Sequence, residues 1–422
     1  MSKKSAASAA SAAPATPPTS KRFNDKREAL LAAASRLFNE KGIVGTTLAE
    51  VAASVGLIKN SVTYYYRRKE DLTVACLMRA MAVHEAIIAR AAIQASVPER
   101  VMELIRLQVE LQGQILDGLH PPIVAFHELR ALDPPHAAAV FGAYTAMYRR
   151  LRELLRHPHT VDWPRAHLNA RTHLLISVAI GLRPLVARYE PEDRLRMAQR
   201  YGDIVLNGIG AARSSWSATG LEADWLARVP EADPNAPFLK AATELINEQG
   251  YAGASVNRIA ERLNFTKGAF YYYNDNKDDL VAQCFERSIA TIRKAVNLTE
   301  SYEVPAWEHL CSVARGLVRF QLGGDGPLLR STANSALPDL KHRERVNAEL
   351  GRVIERVAGV VVSGLMDGSV RPIDPRLAAV NLLMGIMAAA ELRRWVDSAD
   401  EVNAADLFAR PLLMGLLCST AN

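Results

Sequence analysis

Apolar residues recur along this chain at intervals of three and four. Leu30, Ala34, Leu37 and Phe38 trace one such stripe near the start, and similar stripes follow almost to the end. That spacing is the 3.6-residue period of an amphipathic α-helix, and no stretch shows the sustained apolar–polar alternation of a strand. In the first half the pattern predicts helices over about 24–41, 47–54, 58–65, 69–95, 99–118, 136–157, 162–189 and 191–211. Breakers separate them: Gly42, Gly56, Pro98, Pro121-Pro122, Pro134-Pro135 and Pro158. The second half repeats this with Gly250, Pro305, Gly323-Gly324, Pro338 and Pro372. The expected fold class is all-α.

The halves are related in sequence as well as in pattern. Sliding the chain by 208 residues aligns Ala33–Ala82 with Ala241–Ala290 without a gap, with 17 identities in 50 positions. They include Gly42/Gly250, Ala52/Ala260, Lys59/Lys267, Tyr64/Tyr272, Tyr65/Tyr273, Lys69/Lys277 and Cys76/Cys284. A fixed period with this much identity marks a duplicated unit. The expected organisation is a disordered Ala/Ser/Pro tail over 1–20, a first head over 21–75, a first body over 76–213, a linker over 214–234, a second head over 235–283 and a second body over 284–422. Trp216, Leu221, Trp225 and Leu226 are too apolar for a free tether, so part of the linker is expected to dock. Twenty-one residues reach at most ~70 Å, enough to set two units side by side.

The first fifty residues of each unit carry the chemistry. Thr47-Leu48-Ala49-Glu50 is a capping box that opens a short helix with Leu48, Val51, Ala52 and Val55 inward. Gly56 makes a turn and a second short helix follows over 58–65. Two short helices about a tight turn form a helix-turn-helix, whose second helix fits the DNA major groove. In the second unit Ser255 caps, Val256, Ile259, Ala260 and Leu263 point inward, and Thr266–Tyr273 is the second short helix.

The run Gly-Leu-Ile-Lys-Asn-Ser-Val-Thr-Tyr-Tyr-Tyr-Arg-Arg-Lys-Glu-Asp-Leu (56–72) resembles the TetR family signature. Phe-Thr-Lys-Gly-Ala-Phe-Tyr-Tyr-Tyr-Asn-Asp-Asn-Lys-Asp-Asp-Leu (265–280) is closer still. The likeness covers about 50 residues of each unit; beyond them the bodies agree in helix count and length. It implies that Lys59, Asn60, Ser61 and Thr63 reach base edges, while Thr47, Tyr64, Tyr65 and Lys69 contact phosphate or sugar. The second-unit equivalents are Ser255, Thr266, Lys267, Gly268, Ala269, Tyr271, Tyr272, Tyr273 and Lys277. Tyr66 is expected to fill a slot where the family carries an apolar aromatic. The resemblance also implies that Asp162–Ala211 and Asp374–Cys418 form pairing surfaces, with Leu174, Leu175, Val178, Leu182, Leu382, Leu383, Ile386 and Met387 as interface candidates. A small molecule held in the body would shift the spacing of the heads.

Charge separates the two heads. Over Lys21–Leu72 there are 10 Lys/Arg against 6 Asp/Glu, net +4; over Val229–Leu280 there are 5 against 8, net −3. The first head also carries a basic arm, Lys21, Arg22, Lys26 and Arg27. In the second, Asn274-Asp275-Asn276 replaces Tyr66-Arg67-Arg68; Asp275 would face a polyanion if it lay near phosphate, and reads first as a helix cap for the segment starting near Lys277. Since phosphate neutralisation dominates affinity, the second head is expected to bind DNA more weakly. The whole chain, 422 residues with formal net charge +6, permits a nucleic-acid partner without proving one.

Several function classes are disfavoured. The longest uncharged apolar run, Leu377–Ala390, is fourteen residues, short of the ~20 needed to cross a bilayer. No apolar stretch follows Lys3 and Lys4, so no export signal is read and a cytoplasmic location is expected. The four cysteines include no CxxC pair, and there is no phosphate loop, nucleophile elbow or HExxH motif. Neither cofactor nor metal is expected. Seven of ten histidines fall between His120 and His173 without ligand spacing. Arg183, Arg330 and His127 are candidates to meet an anionic effector, while Met384, Met387 and Met414 read as core.

Three readings follow. The first is a ligand-responsive transcriptional regulator, a repressor by family habit, working as a single-chain pseudo-dimer on an imperfect inverted repeat of double-stranded operator DNA. In the second, chains homodimerise and only the first head reads DNA. The third is an architectural DNA-binding protein. An enzyme is not expected.

Overall fold

The computed structural model describes residues 21–419 except 44, 127–128, 130–131, 133, 158–159, 161, 181, 217–219, 229–234, 265–267, 269–275, 331–332, 334–336 and 338. The tail over 1–20 lies outside the described residues. Among these residues all regular elements are helices, and the one extended pairing is an isolated bridge between Gly210 and Val370.

The first unit contains α1 (Lys21–Lys41), α2 (Leu48–Ser54), α3 (Lys59–Tyr65), α4 (Lys69–Ala91), α5 (Val97–Leu116), α6 (Pro134–Leu154), α7 (Arg165–Ile180), α8 (Arg183–Val186) and α9 (Arg194–Asn207). The linker forms α10 (Leu221–Arg228). The second unit holds α11 (Ala236–Gly253), α12 (Val256–Arg262), α13 (Lys277–Thr299), α14 (Ala306–Leu322), α15 (Leu340–Met366), α16 (Pro375–Ala388), α17 (Leu392–Trp395) and α18 (Arg410–Met414). Residue Gly250 interrupts α11 with φ 73°, as Gly42 ends the equivalent helix with φ 72°.

One continuous apolar core runs from Leu30 and Phe38 in the first head, through both bodies, to Leu416. A smaller core holds the second head, where Phe238, Leu245, Ile246, Leu280 and Phe285 pack with Leu329, Leu337 and Val346 of its body. Between the bodies, α7 and α9 pack against α16, and α7 also meets the turn Ala405–Ala409 that leads into α18. The interface candidates Leu174, Leu175, Val178, Leu182, Leu382, Leu383, Ile386 and Met387 are all buried. At the end of this layer the backbones cross: Ile209 N donates to Leu413 O (2.9 Å) and Leu416 N donates to Val205 O (2.9 Å). Asn169 Nδ2 donates to Trp395 O (2.8 Å), and Arg171 Nε to Leu416 O (2.9 Å).

The linker docks on the second body. Trp225 is fully buried against Gly316, where an added Cβ would lie 2.0 Å from the indole, so only glycine leaves room for the ring. Glu222 pairs with Arg315 at 3.0 Å, and Trp216 Nε1 donates to Asp406 Oδ1 (2.6 Å).

Two expected helices differ. The single helix read over 162–189 is split into α7 and α8, because Pro184 cannot take the interior of a continuing helix and serves instead in the first turn of α8. The counterpart in the second unit, which the repeat predicts as one long helix over Asp374–Asp397, stops at Ala388 and continues as a 3-10 turn, Ala389–Glu391, and then α17. Two helical stretches, Lys69–Ala91 and Pro375–Trp395, are long and apolar enough to cross a membrane by composition, but 50% and 61% of their apolar windows are buried inside the protein.

Candidate functional site

In the first head, Thr47 caps α2 by accepting from Glu50 N (3.2 Å), and Glu50 Oε2 accepts from Thr47 N (2.8 Å). Lys41 and then Thr47 stabilise the Glu50 carboxylate, holding its pKa down at about 2. Val51, Ala52 and Val62 are buried and seat α3 against α2. Lys59 and Asn60 stand exposed at the start of α3, with Ser61 and Thr63 half-buried. Thr63 Oγ1 donates to Asn60 O (2.8 Å). Tyr64 is 76% exposed, and its ring meets Phe23 and Tyr65 edge-on. Phe23, on the basic first turns of α1, also lies 4.8 Å from Tyr65, so three aromatic rings join α1 to α3. Tyr66 is buried and its hydroxyl accepts from Arg27 Nε (3.1 Å).

Lys69 sits differently from the exposed residues. Its ammonium donates to Ile43 O (3.0 Å) and Thr46 O (3.2 Å), closing the loop between α1 and α2. Lys277 repeats this on Tyr251 O and also lies over the Tyr251 ring; burial lowers its pKa to about 8.

The second head reproduces the frame but not every detail. Ser255 caps α12, accepting from Arg258 N (3.3 Å). Arg258 stands where Glu50 stands in the first head, so the reciprocal half of the capping box is missing. The turn after α12 is made by Asn264 with φ 57°, matching Gly56 with φ 68°. Gly268 is helical and exposed. Thr266, Lys267, Ala269, Tyr271, Tyr272, Tyr273 and Asp275 lie outside the described residues. The cap of α13 is Asn276, whose Oδ1 accepts from Asp279 N (2.9 Å), rather than Asp275; Asn is as good a cap as Asp and stands directly before the first helical residue.

Each head is clasped to its body by the same asparagine. Asn39 Nδ2 donates to Ile123 O (2.8 Å), and its Oδ1 accepts from Ala125 N (2.9 Å). Asn247 Nδ2 donates to Leu328 O (2.9 Å), and its Oδ1 accepts from Arg330 N (3.2 Å). Arg79 and Arg287 back the clasps, donating to Pro122 O (2.9 Å) and Pro327 O (3.2 Å). The clasped segments connect the second and third helices of each body.

The first of these segments walls a cavity that opens to solvent past Arg183, Arg188 and Asn347. A larger compartment of about 580 Å³ lies between the units, with Asn39, His84, Ile123 and Tyr201 on one side and Arg343, Leu350, Arg376 and Leu383 on the other. A smaller, aromatic compartment of about 200 Å³ contains Phe141, Tyr144, His173 and Trp395. The compartments share Ala125, Phe126, Ile180, Met384 and Met387. Arg183 lines the larger and Arg330 the smaller, while His127 lies outside the described residues. Met384 and Met387, read as core, face the cavity. Sequence reasoning missed Arg188, Arg343, Arg376 and Arg394, which also line it. They are scattered over two units, and no local pattern marks them. Among the described residues no three His, Cys, Asp or Glu side chains gather to hold a metal ion.

Two helix-turn-helix heads on helical bodies define a class: a DNA-binding transcriptional regulator built from two tandem units. The family model for bacterial regulatory proteins of the tetR family matches residues 30–76 and 238–284, and the chain belongs to this family, carrying its N-terminal domain twice. The fatty acid metabolism regulator protein of Bacillus subtilis (strain 168) is 23% identical over 142 residues, which are 33% of this chain and 73% of that protein. The crystal structure of AibR with isovaleryl coenzyme A and operator DNA is 19% identical, covering 42% of this chain and 96% of that one, with a TM-score of 0.34. FadR from Bacillus subtilis in complex with stearoyl-CoA is 21% identical over 42% of this chain and 97% of its own, with a TM-score of 0.33. Each match takes most of the relative but less than half of this chain.

Proposed function

We propose that this protein is a ligand-responsive repressor that binds operator DNA as a single-chain pseudo-dimer in the cytoplasm, with no catalytic role. The reading is carried by the backbone crossing between Val205–Ile209 and Leu413–Leu416. Residue Ile209 bonds to Leu413 as Leu416 bonds to Val205, the reciprocal pattern of a two-fold dimer interface, here within one chain. Ordinary dimeric readers need two chains to set two recognition helices one DNA turn, roughly 34–36 Å, apart; one chain supplies both here. Lys59, Asn60, Ser61 and Thr63 read bases, and Thr47, Tyr64 and Tyr65 contact the backbone, with Ser255, Gly268 and the 266–273 segment as counterparts. The recognition residues differ between heads, so the operator is an imperfect inverted repeat. Lys69 and Lys277 act mainly by bracing their heads. The effector occupies the cavity between the bodies, and stearoyl-CoA, present in the FadR complex, is the first compound to try.

A second reading has two chains pair and only the first head bind, favoured by the charge contrast of +4 against −3. Selection of bound DNA from a random pool, with light scattering on the complex, decides between them. Unlike half-sites with one 46.2 kDa chain per site support the pseudo-dimer; identical half-sites under two chains support the second reading. No enrichment would remove the DNA-binding proposal.

A further inference from the structure

Helices α7 and α16 meet between the units and begin alike, at Pro164-Arg165 and Pro375-Arg376. A shift of 211 residues carries one onto the other. In that register half-buried Asn169 and Ser177 fall on half-buried Val380 and Ala388. His173, Ile176 and Ile180, which line the smaller compartment, fall on Met384, Met387 and Glu391, which line it too. Leu174 falls on Gly385, and these two residues also lie against each other: a Cβ built on Gly385 would be 3.2 Å from Leu174 Cδ1. A residue that meets its own equivalent marks the two-fold axis of a pair. The axis here carries a leucine from the first unit and a glycine from the second, a knob and its hole.

The side-chain contacts around the axis run one way. Asn169 donates to Trp395 O (2.8 Å), Arg171 donates to Leu416 O (2.9 Å) and Cys418 O (3.0 Å), and His173 Nε2 lies 2.8 Å from Ala388 O. The equivalents in α16 are Val380, Leu382 and Met384, which have no donor to return. Trp395 stacks on Tyr148 of the first unit, with ring centroids 3.8 Å apart and 8° between the planes, and its own equivalent is Pro184. Two second units would therefore meet with glycine on both sides of the axis and without these three donors, leaving the layer unfilled and its carbonyls unmatched. Two first units would bring two leucines into a space that close packing fits to one.

We propose that the pairing faces are complementary to each other and not to themselves, so that a first unit takes only a second unit as its partner, with Leu174 and Gly385 setting that choice. The inference rests on the single-chain reading above and names what enforces it. Shape rejects the pairing of two first units that a homodimer of chains through these faces would need, which is discrimination against the wrong partner as well as attraction to the right one. A second chain can join through these faces only by exchange of units, first with second.

The first test is a double-mutant cycle in the full chain, read by melting temperature. Gly385→Leu puts a leucine on both sides of the axis and should lower the melting temperature by about 5 °C or more. Leu174→Ala opens a cavity in the wild type and should lower it too. In the Gly385→Leu background the same Leu174→Ala change should instead raise it, because knob and hole have changed sides. Leu412, which also lies against Gly385, is present in both members of that comparison and cancels. Should Gly385→Leu fail to fold, Gly385→Ala takes its place, and Leu174→Ala should then cost less than it does in the wild type. Additive losses in both series overturn the inference.

The second test inserts a protease site at residue 218 in the linker of the full chain. The folded protein is cleaved, and isotope-labelled and unlabelled samples are mixed in dilute urea until label has exchanged between complexes. Native mass spectrometry should find one first-unit and one second-unit fragment in every complex. Complexes of two first-unit or two second-unit fragments overturn the inference, while the single-chain reading is judged separately by the number of chains per operator in the selection experiment.

Discussion

Gly208 and Gly415 face each other backbone to backbone where the two units cross. A Cβ built on Gly208 would lie 2.2 Å from Leu413 O and 2.5 Å from Gly415 N; one built on Gly415 would lie 2.3 Å from Leu206 O. Both glycines also hold positive φ, 68° and 97°. Gly208→Ala therefore combines a left-handed backbone penalty of about 1–2 kcal/mol with a backbone clash that no rotamer relieves, for an expected loss of about 3 kcal/mol or more. Gly220→Ala is the control: φ is 77° but nothing among the described residues lies within 4 Å, so about 1 kcal/mol is expected. Urea denaturation of both variants checks this, and equal losses would show that the crossing contributes nothing.

The turn of each helix-turn-helix offers a second comparison. Gly56 and Asn264 occupy equivalent positions in the 208-residue register and share the left-handed conformation, φ 68° and 57°. Asparagine is among the few residues that visit this region readily, and glycine does so without steric cost. Asn264→Gly should be neutral within about 0.5 kcal/mol, Gly56→Asn tolerated, and Gly56→Ala costly by about 1 kcal/mol. Local amide exchange within each head reads these effects directly. A larger loss for Asn264→Gly than for Gly56→Ala would mean that the Asn side chain, not its backbone freedom, sets the second turn.

What was readable in the sequence follows from how local each signal is. The repeat, the Thr47–Glu50 capping box and the Gly42 and Gly56 breaks depend on residues within a few positions of one another, so pattern alone exposes them. Asn264 was overlooked because asparagine is a common residue and its φ cannot be seen in a sequence. Lys69 and Lys277 read equally well as phosphate ligands, since only the folded loop brings Ile43 O and Tyr251 O to their ammonium groups. The cavity was the least legible part. Arg188 and Arg376 meet only after two units have packed, and neither belongs to a local motif.

Tyr64 and Tyr272 test the inequality of the heads. Tyr64 is exposed and buttressed by Phe23 and Tyr65, so its removal leaves the buried frame of Val51, Ala52 and Val62 intact. Tyr64→Ala should weaken operator binding about tenfold, the loss of one backbone-directed contact together with its ordering, with no change in melting temperature. Tyr272→Ala, on the acidic head, should lose less. Electrophoretic mobility shifts at fixed salt measure both, and equal losses would contradict the charge argument.

His84 links the cavity wall to pH. Its ring is fully buried beside Phe126, with Nδ1 2.9 Å from Gln108 Nε2. Burial lowers its pKa from 6.5 to about 4, against a smaller opposing effect of the Gln108 hydrogen bond. The unfolded chain therefore binds a proton that the folded chain refuses between these values. The contribution is fully present above pH 6.5, declines as pH falls below it, and is lost by about pH 4. Between pH 7 and pH 5 this one group should lower stability by about 2 kcal/mol. Other acid-sensitive groups, such as the Glu50 and Glu99 carboxylates held below their usual range, are common to wild type and variant and cancel in the comparison. His84→Gln, even if less stable at pH 7, should show a shallower fall in unfolding free energy across this interval. Parallel pH profiles for the two proteins would mean that the imidazole is accommodated in its charged form, and that the wall of the cavity opens to water more readily than its burial implies.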